Sequence, residues 1–170
     1  MNGNISMNGM DSEKGKRLGM VVDGSLDKGI EVRLDAATSI EEIKVGTFIS
    51  IQGERLRFFG VVTGVSLGST DPSLRFTPPD VSNPFIAQVV SGTTAYGTIT
   101  VEPMLTLRND QMAALDGPQP AKTIPPHFSS VSLASEKDIQ TVFGEEKEGH
   151  FWIGSPLDMV DIRLCLNIAE

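Results

Sequence analysis

Apolar residues recur at alternate positions through much of the chain, and turn residues repeatedly cut the alternation. In "GIEVRL" (29–34), Ile30, Val32 and Leu34 share one face of an extended segment while Glu31 and Arg33 take the other. That is the period-2 signature of a strand buried on one side. "LGMVV" (18–22) and "VGTFISIQG" (45–53) are further short runs, the first separated from 29–34 by the turn-rich "DGSLDK". "QGER" places Gly53 at the first central position of a tight turn. This predicts a hairpin into a fourth strand that opens with "RFFGVVTGV" (57–65). "AYGTITVEPMLTL" (95–107) reads as a fifth strand, with Ile99 and Val101 on one face and Thr98, Thr100 and Glu102 on the other. Pro103 lacks an N–H, so it restricts that strand to an edge or a bulge at that point.

Three segments read as helical. "SIEEI" (39–43) is one turn started by Ser39, and "PFIAQVVSG" (84–92) is a short helix with Pro84 at its first position and Gly92 as its stop. "SEKDIQTVFG" (135–144) carries Ser135 and Asp138 in capping-box register and ends on Gly144. Between the fourth strand and the second of these, "STDPSLRFTPPDVSNP" holds three turn signals, at Asp71-Pro72, Pro78-Pro79 and Asn83-Pro84. Residues 108–134 read as irregular. "GPQPAKTIPPHFSSV" contains four of the ten prolines, and each proline pushes its predecessor out of the helical region, so an extended connector is expected. "HFWIG" (150–154) and "DIRLCLNI" (161–168) are two more expected strands. There is no internal repeat.

Short strands at regular spacing predict a mainly β fold, a sandwich or a small barrel. Gly60 and Gly64 interrupt the fourth strand. Glycine weakens a strand, but it permits the bend or bulge that barrel closure requires. Both are therefore expected to be structural strand bends in a small closed β-barrel.

Composition narrows the function classes. The 170 residues suffice for one ordinary domain, and 39% are hydrophobic. The single cysteine, Cys165, excludes a disulfide framework within the chain and suits a reducing, cytoplasmic setting. It lies in an apolar strand pattern and is expected to be buried. No apolar run approaches a membrane span, and "MNGNISMNGMDSEKGKR" lacks the apolar centre of a signal peptide, so residues 1–17 read as a disordered tail. The net charge of −8 disfavours non-specific contact with phosphate backbones. Arg55 and Arg57, alternating on one strand face, are the candidate basic patch.

Catalytic chemistry is sparse. The two histidines, His127 and His150, have no companion cysteine pair or His-x-x-His, so no metal site is expected. No Gly-x-x-x-x-Gly-Lys-Ser/Thr cradle for a nucleotide phosphate is present. Ser91 and Ser155 lack a nucleophile-elbow context, and a pairing of Asp158 with His150 completes no catalytic set. Phe151 and Trp152 are of a type that stacks bases, but aromatics in a strand are more often core.

Five segments together carry a resemblance: "GMVVDGSLDKGIEVRLD" (19–35), "VGTFISIQGERLRFFGVVTGVSLGSTDP" (45–72), "PFIAQVVSGTTAYGTITVEPML" (84–105), "KTIPPHFSSV" (122–131) and "HFWIGSPLDM" (150–159). Their order and spacing resemble the N-terminal region of bacterial HerA-type ATPases of the FtsK/HerA superfamily. That region is the HAS barrel, similar to the N-terminal barrel of the ATP synthase. The resemblance implies a barrel domain over 18–107, and over 108–170 an extended connector, a helix and two strands leading toward an ATPase domain. The family forms hexameric rings that translocate double-stranded DNA. It works with a nuclease such as NurA in DNA end processing and repair, and some relatives serve in phage defence.

The Walker A, Walker B and arginine-finger residues of the family have no counterpart before Glu170, so a non-catalytic chain is expected, either an excised domain or a stand-alone barrel, with the abrupt end after a strand favouring the excised domain. ATP and Mg are expected only in the ATPase domain that it lacks. The implied role is assembly and partner docking, with Ser69, Thr70, Asp71 and Arg75 on the long loop as candidate contacts. The alternative is an OB-like barrel that binds nucleic acid directly through Arg55, Arg57, Phe58 and Phe59.

Overall fold

A computed structural model describes residues 15–93, 95–110, 117–144, 150–155 and 163–167. Six antiparallel strands close into a barrel. β1 (Arg17–Ser25) pairs with β2 (Gly29–Leu34), β2 with β5 (Ala95–Arg108), β5 with β4 (Leu56–Ser69), and β4 with β3 (Phe48–Gln52). β7 (Ser130–Leu133) lies between β3 and β1 and completes the ring. The short β6 (Gln119–Pro120) pairs with β5 outside the ring.

Alternation fixes what the barrel encloses. Ile30, Val32, Ile49, Ile51, Phe58, Val62, Ile99, Val101 and Val131 form its interior, joined by Leu18, Val21 and Leu34. Each fully buried aliphatic side chain of this kind contributes about 1.5–3 kcal/mol relative to exposure. β7 comes from a segment whose prolines read as an extended connector. Its Val131 is fully buried between Ile51 of β3 and Gly19 of β1 in the ladders, so tertiary pairing makes a ring strand of it.

The β3–β4 hairpin turns through Gly53–Arg55, where the Gly53 N–H donates to the Leu56 carbonyl at 3.0 Å. The β4–β5 ladder shifts register twice, between Phe59 and Gly60 and between Val62 and Gly64. At the first shift Met104, next to Pro103, is the extra residue on β5; at the second, Thr63 is extra on β4. The two glycines differ in what surrounds them. A Cβ on Gly60 would run into the Glu102 carbonyl oxygen, whereas one on Gly64 would meet Thr100 at an ordinary 3.5 Å. Neither has a positive φ, so close approach of backbones, not an unusual conformation, requires the glycine at 60.

α1 (Pro84–Thr93) sits in the excursion between β4 and β5, started by Asn83, whose Oδ1 accepts from the Phe85 N–H at 3.0 Å. α2 (Glu136–Phe143) follows β7 and starts with the capping box. Ser135 Oγ accepts from the Asp138 N–H at 3.2 Å, and Asp138 Oδ2 accepts from the Ser135 N–H at 2.9 Å. Its apolar side covers the outside of the barrel, where the Phe48 and Phe143 rings meet edge to face at 5.6 Å. A separate hairpin of β8 (His150–Gly154) and β9 (Leu164–Asn167) contacts α2 through β9, which buries Cys165.

Candidate docking surfaces

The two arginines of the candidate basic patch do not share a face. Arg55 lies in the hairpin turn, exposed, and its carbonyl accepts from the Asn109 N–H at 2.9 Å. Arg57, on β4, is turned onto the barrel wall. Its Nε donates to Ser50 Oγ at 2.9 Å, its Nη2 contacts Asp138 Oδ1, and its guanidinium lies 5.4 Å from the Phe59 ring centre. Asp138 Oδ1 has no other partner among the described residues and is held by this ion contact rather than by a hydrogen bond of good geometry. Phe58 belongs to the barrel interior, and Phe59 is buried against α2. Of the four residues on which direct nucleic-acid binding would depend, Arg57, Phe58 and Phe59 are engaged in internal contacts, while Arg55 is exposed.

The loop after β4 is stitched locally. Ser69 Oγ donates to the Asp71 carbonyl at 2.7 Å and accepts from the Asp71 N–H at 3.1 Å. Asp71 Oδ1 accepts from the Ser73 N–H at 2.8 Å and caps a 3-10 turn over Pro72–Arg75. Hydrogen bonds from the Ser73 side chain and backbone hold the Asp71 carboxyl below its ordinary value, and Ser82 does the same for Asp80. Thr70 is exposed at the tip. The side chains of Arg75, Ser91 and His150, and all of Asp158, lie outside the described residues.

This excursion also offers large apolar side chains to solvent. Phe76 is 86% exposed and Phe85 72%, with Val81, Ile86 and Val89 also open. No charged residue occurs from Val81 to Val101. On the separate hairpin, Phe151, Trp152 and Ile153 are exposed, Trp152 at 56%, so the expectation of a core aromatic pair is corrected: among the described residues this two-stranded sheet pairs with no further strand, and its β8 side chains stay open. The Trp152 Nε1–H donates to the Gly154 carbonyl at 2.7 Å.

A cleft that the sequence did not announce opens at one end of the barrel. β4 and β5 run on past the end of β2, and between their tip and the 35–40 turn lies a cavity of about 600 Å³. Leu34, Ile40, Leu67, Ala95 and Gly97 supply apolar walls. Arg33 stacks on Tyr96, the guanidinium carbon 4.1 Å from the ring centre. Asp35 on the rim is paired instead with Arg17, whose Nε donates to its Oδ2 at 2.8 Å; that bond and charge raise the Arg17 pKa. The pairing is tertiary: Arg33 reads as a solvated strand residue, and only the overhang of β5 brings Tyr96 to it.

Among the described residues no group of three or more His, Cys, Asp and Glu is placed to hold a metal ion, and no helix is long and apolar enough to cross a membrane. The chain matches no protein-family model, and no curated protein is significantly similar to it.

Proposed function

We propose that the chain is a non-catalytic assembly and docking barrel of a HerA-type DNA-translocating ATPase, serving DNA end processing or repair. It would act within a cytoplasmic hexameric ring, with ATP and Mg handled by the motor domain and duplex DNA reached through the ring. The observation that carries the reading is the joining of a closed six-strand barrel to an excursion between β4 and β5 that exposes large apolar side chains and carries no charge from Val81 onward. Exposed aromatic side chains on a rigid scaffold are the usual anchors of a protein contact. In a chain of net charge −8, a charge-free surface is also where a like-charged neighbour or an acidic partner can approach without repulsion. The sequence resemblance supplies the identity of the ring and of a nuclease such as NurA as its partner.

The test is sedimentation velocity of the purified chain alone and with a purified NurA-type nuclease. A complex, or self-association, that disappears in Phe76→Ser/Phe85→Ser supports the reading. Absence of both at about 100 µM protein, a concentration at which a weak contact of about −5.5 kcal/mol shows, overturns it.

A further inference from the structure

The cleft beside Arg33 and Tyr96 has three properties that together describe a ligand. The first is an open sheet edge. Arg33 opposite Thr98 is the last β2–β5 pair, so Ala95–Gly97 pair with Leu67–Ser69 on one side and with no described strand on the other. Unpaired backbone N–H and C=O groups on such an edge are a template for an added strand. The second is volume and polarity: about 600 Å³ with apolar walls is room for two or three side chains, within the range of specific ligand sites. The third is a cation without an anion. Among the described residues no acceptor pairs with the Arg33 guanidinium, which lies over the Tyr96 ring. Asp35, the acid on the same rim, is committed to Arg17.

We propose that this cleft binds the C-terminal end of an extended polypeptide. The peptide adds as a short strand to the Ala95–Gly97 edge, places apolar side chains against Leu34, Ile40 and Leu67, and delivers its terminal carboxylate to Arg33. Stacking on Tyr96 orients the planar guanidinium before the ligand arrives, which cuts the ordering cost of a two-pronged carboxylate contact. The net charge of −8 selects against a polyanion such as nucleic acid and leaves a single carboxylate as the matching charge. The inference goes beyond the ring reading and stands without it, because the cleft is at the barrel mouth and its test involves neither the nuclease nor self-association.

The experiment uses a random hexapeptide library with free C-terminal carboxylates, selected on the wild-type chain, with each recovered peptide remade as its C-terminal amide. The expected result is binding of the acid form at least tenfold tighter than the amide. Amide-resonance shifts should centre on Ala95–Gly97 in an ¹⁵N-labelled chain. Arg33→Gln, checked for unchanged melting, should abolish the acid-over-amide preference. If Arg33→Gln fails to fold, the acid–amide comparison on the wild-type chain decides alone. Equal binding of acid and amide, no enrichment of any peptide, shifts elsewhere on the barrel, or full displacement by millimolar inorganic phosphate would each overturn the proposal, the last in favour of a small-anion site.

Discussion

The Arg57 guanidinium and the Asp138 carboxylate form an ion contact that ties β4 to the first turn of α2. Asp138 is almost wholly buried, at 2% side-chain exposure, and the same carboxylate closes the capping box on Ser135. One residue therefore both starts the helix and docks it on the barrel. Truncating the partner of a buried charge costs more than the pair itself is worth, because the charge left behind is unsolvated. Arg57→Ala is expected to destabilise by about 2–3 kcal/mol, below the usual range for a fully buried pair because Arg57 is 30% exposed. Urea unfolding measures this. Loss below about 0.5 kcal/mol, the size of an ordinary surface substitution, would show that the contact is not structural.

The two glycines of β4 should part company. Gly60→Ala forces a Cβ onto the Glu102 carbonyl and is expected to cost more than about 2 kcal/mol, as overpacking against backbone does. Gly64→Ala meets only Thr100 at van der Waals distance and should be neutral or stabilising by up to about 1 kcal/mol, since it removes strand-glycine entropy. Thermal melts of the pair decide it; equal losses would mean the second bulge also needs its glycine.

Acid should loosen the β4–β5 excursion locally. The folded-state pKa values of Asp71 and Asp80 lie below the ordinary 3.8, held down by hydrogen bonds from Ser73 and Ser82. A depressed carboxylate contributes stability that is fully present above 3.8 and is lost as pH falls through the lower folded-state value. Amide hydrogen exchange at Ser73 and Ser82 is expected to rise, relative to the intrinsic rate, only below that point. Protection that stays unchanged however far the pH is lowered below the ordinary 3.8 would contradict these hydrogen bonds.

Self-association should respond to salt. Copies each carrying −8 repel at long range, and at physiological ionic strength that repulsion is screened within about 8 Å. We expect monomer or weak oligomer in dilute low-salt buffer and stronger association toward physiological salt, by sedimentation equilibrium. A hexamer that persists at low salt would show contacts strong enough to overcome the charge.

Duplex DNA should bind at a dissociation constant of about 10⁻⁴ M or weaker at physiological salt. Arg57→Ala should change that value little, because the side chain is engaged with Asp138 and Ser50. Tight binding lost in Arg55→Ala/Arg57→Ala would restore the OB-like alternative.

What the sequence determined by itself is whatever depends on neighbours along the chain. The alternation of Ile30, Val32 and Leu34 set an inward face because side chains on a strand alternate by geometry. Ser135 and Asp138, three residues apart, met as a capping box because the first helical turn brings them together. Pro103 marked a bulge because it has no N–H for the ladder. The tertiary structure alone decided which distant segments meet. It made a ring strand of Ser130–Leu133, whose prolines signal only an extended chain. It turned Arg57 from a solvated cation into a clamp on Asp138, 81 residues further along, and it set Arg33 on Tyr96 beneath an overhanging strand. Charge and stacking partners follow from strand register and barrel closure, which are properties of the whole chain and leave no local pattern to read.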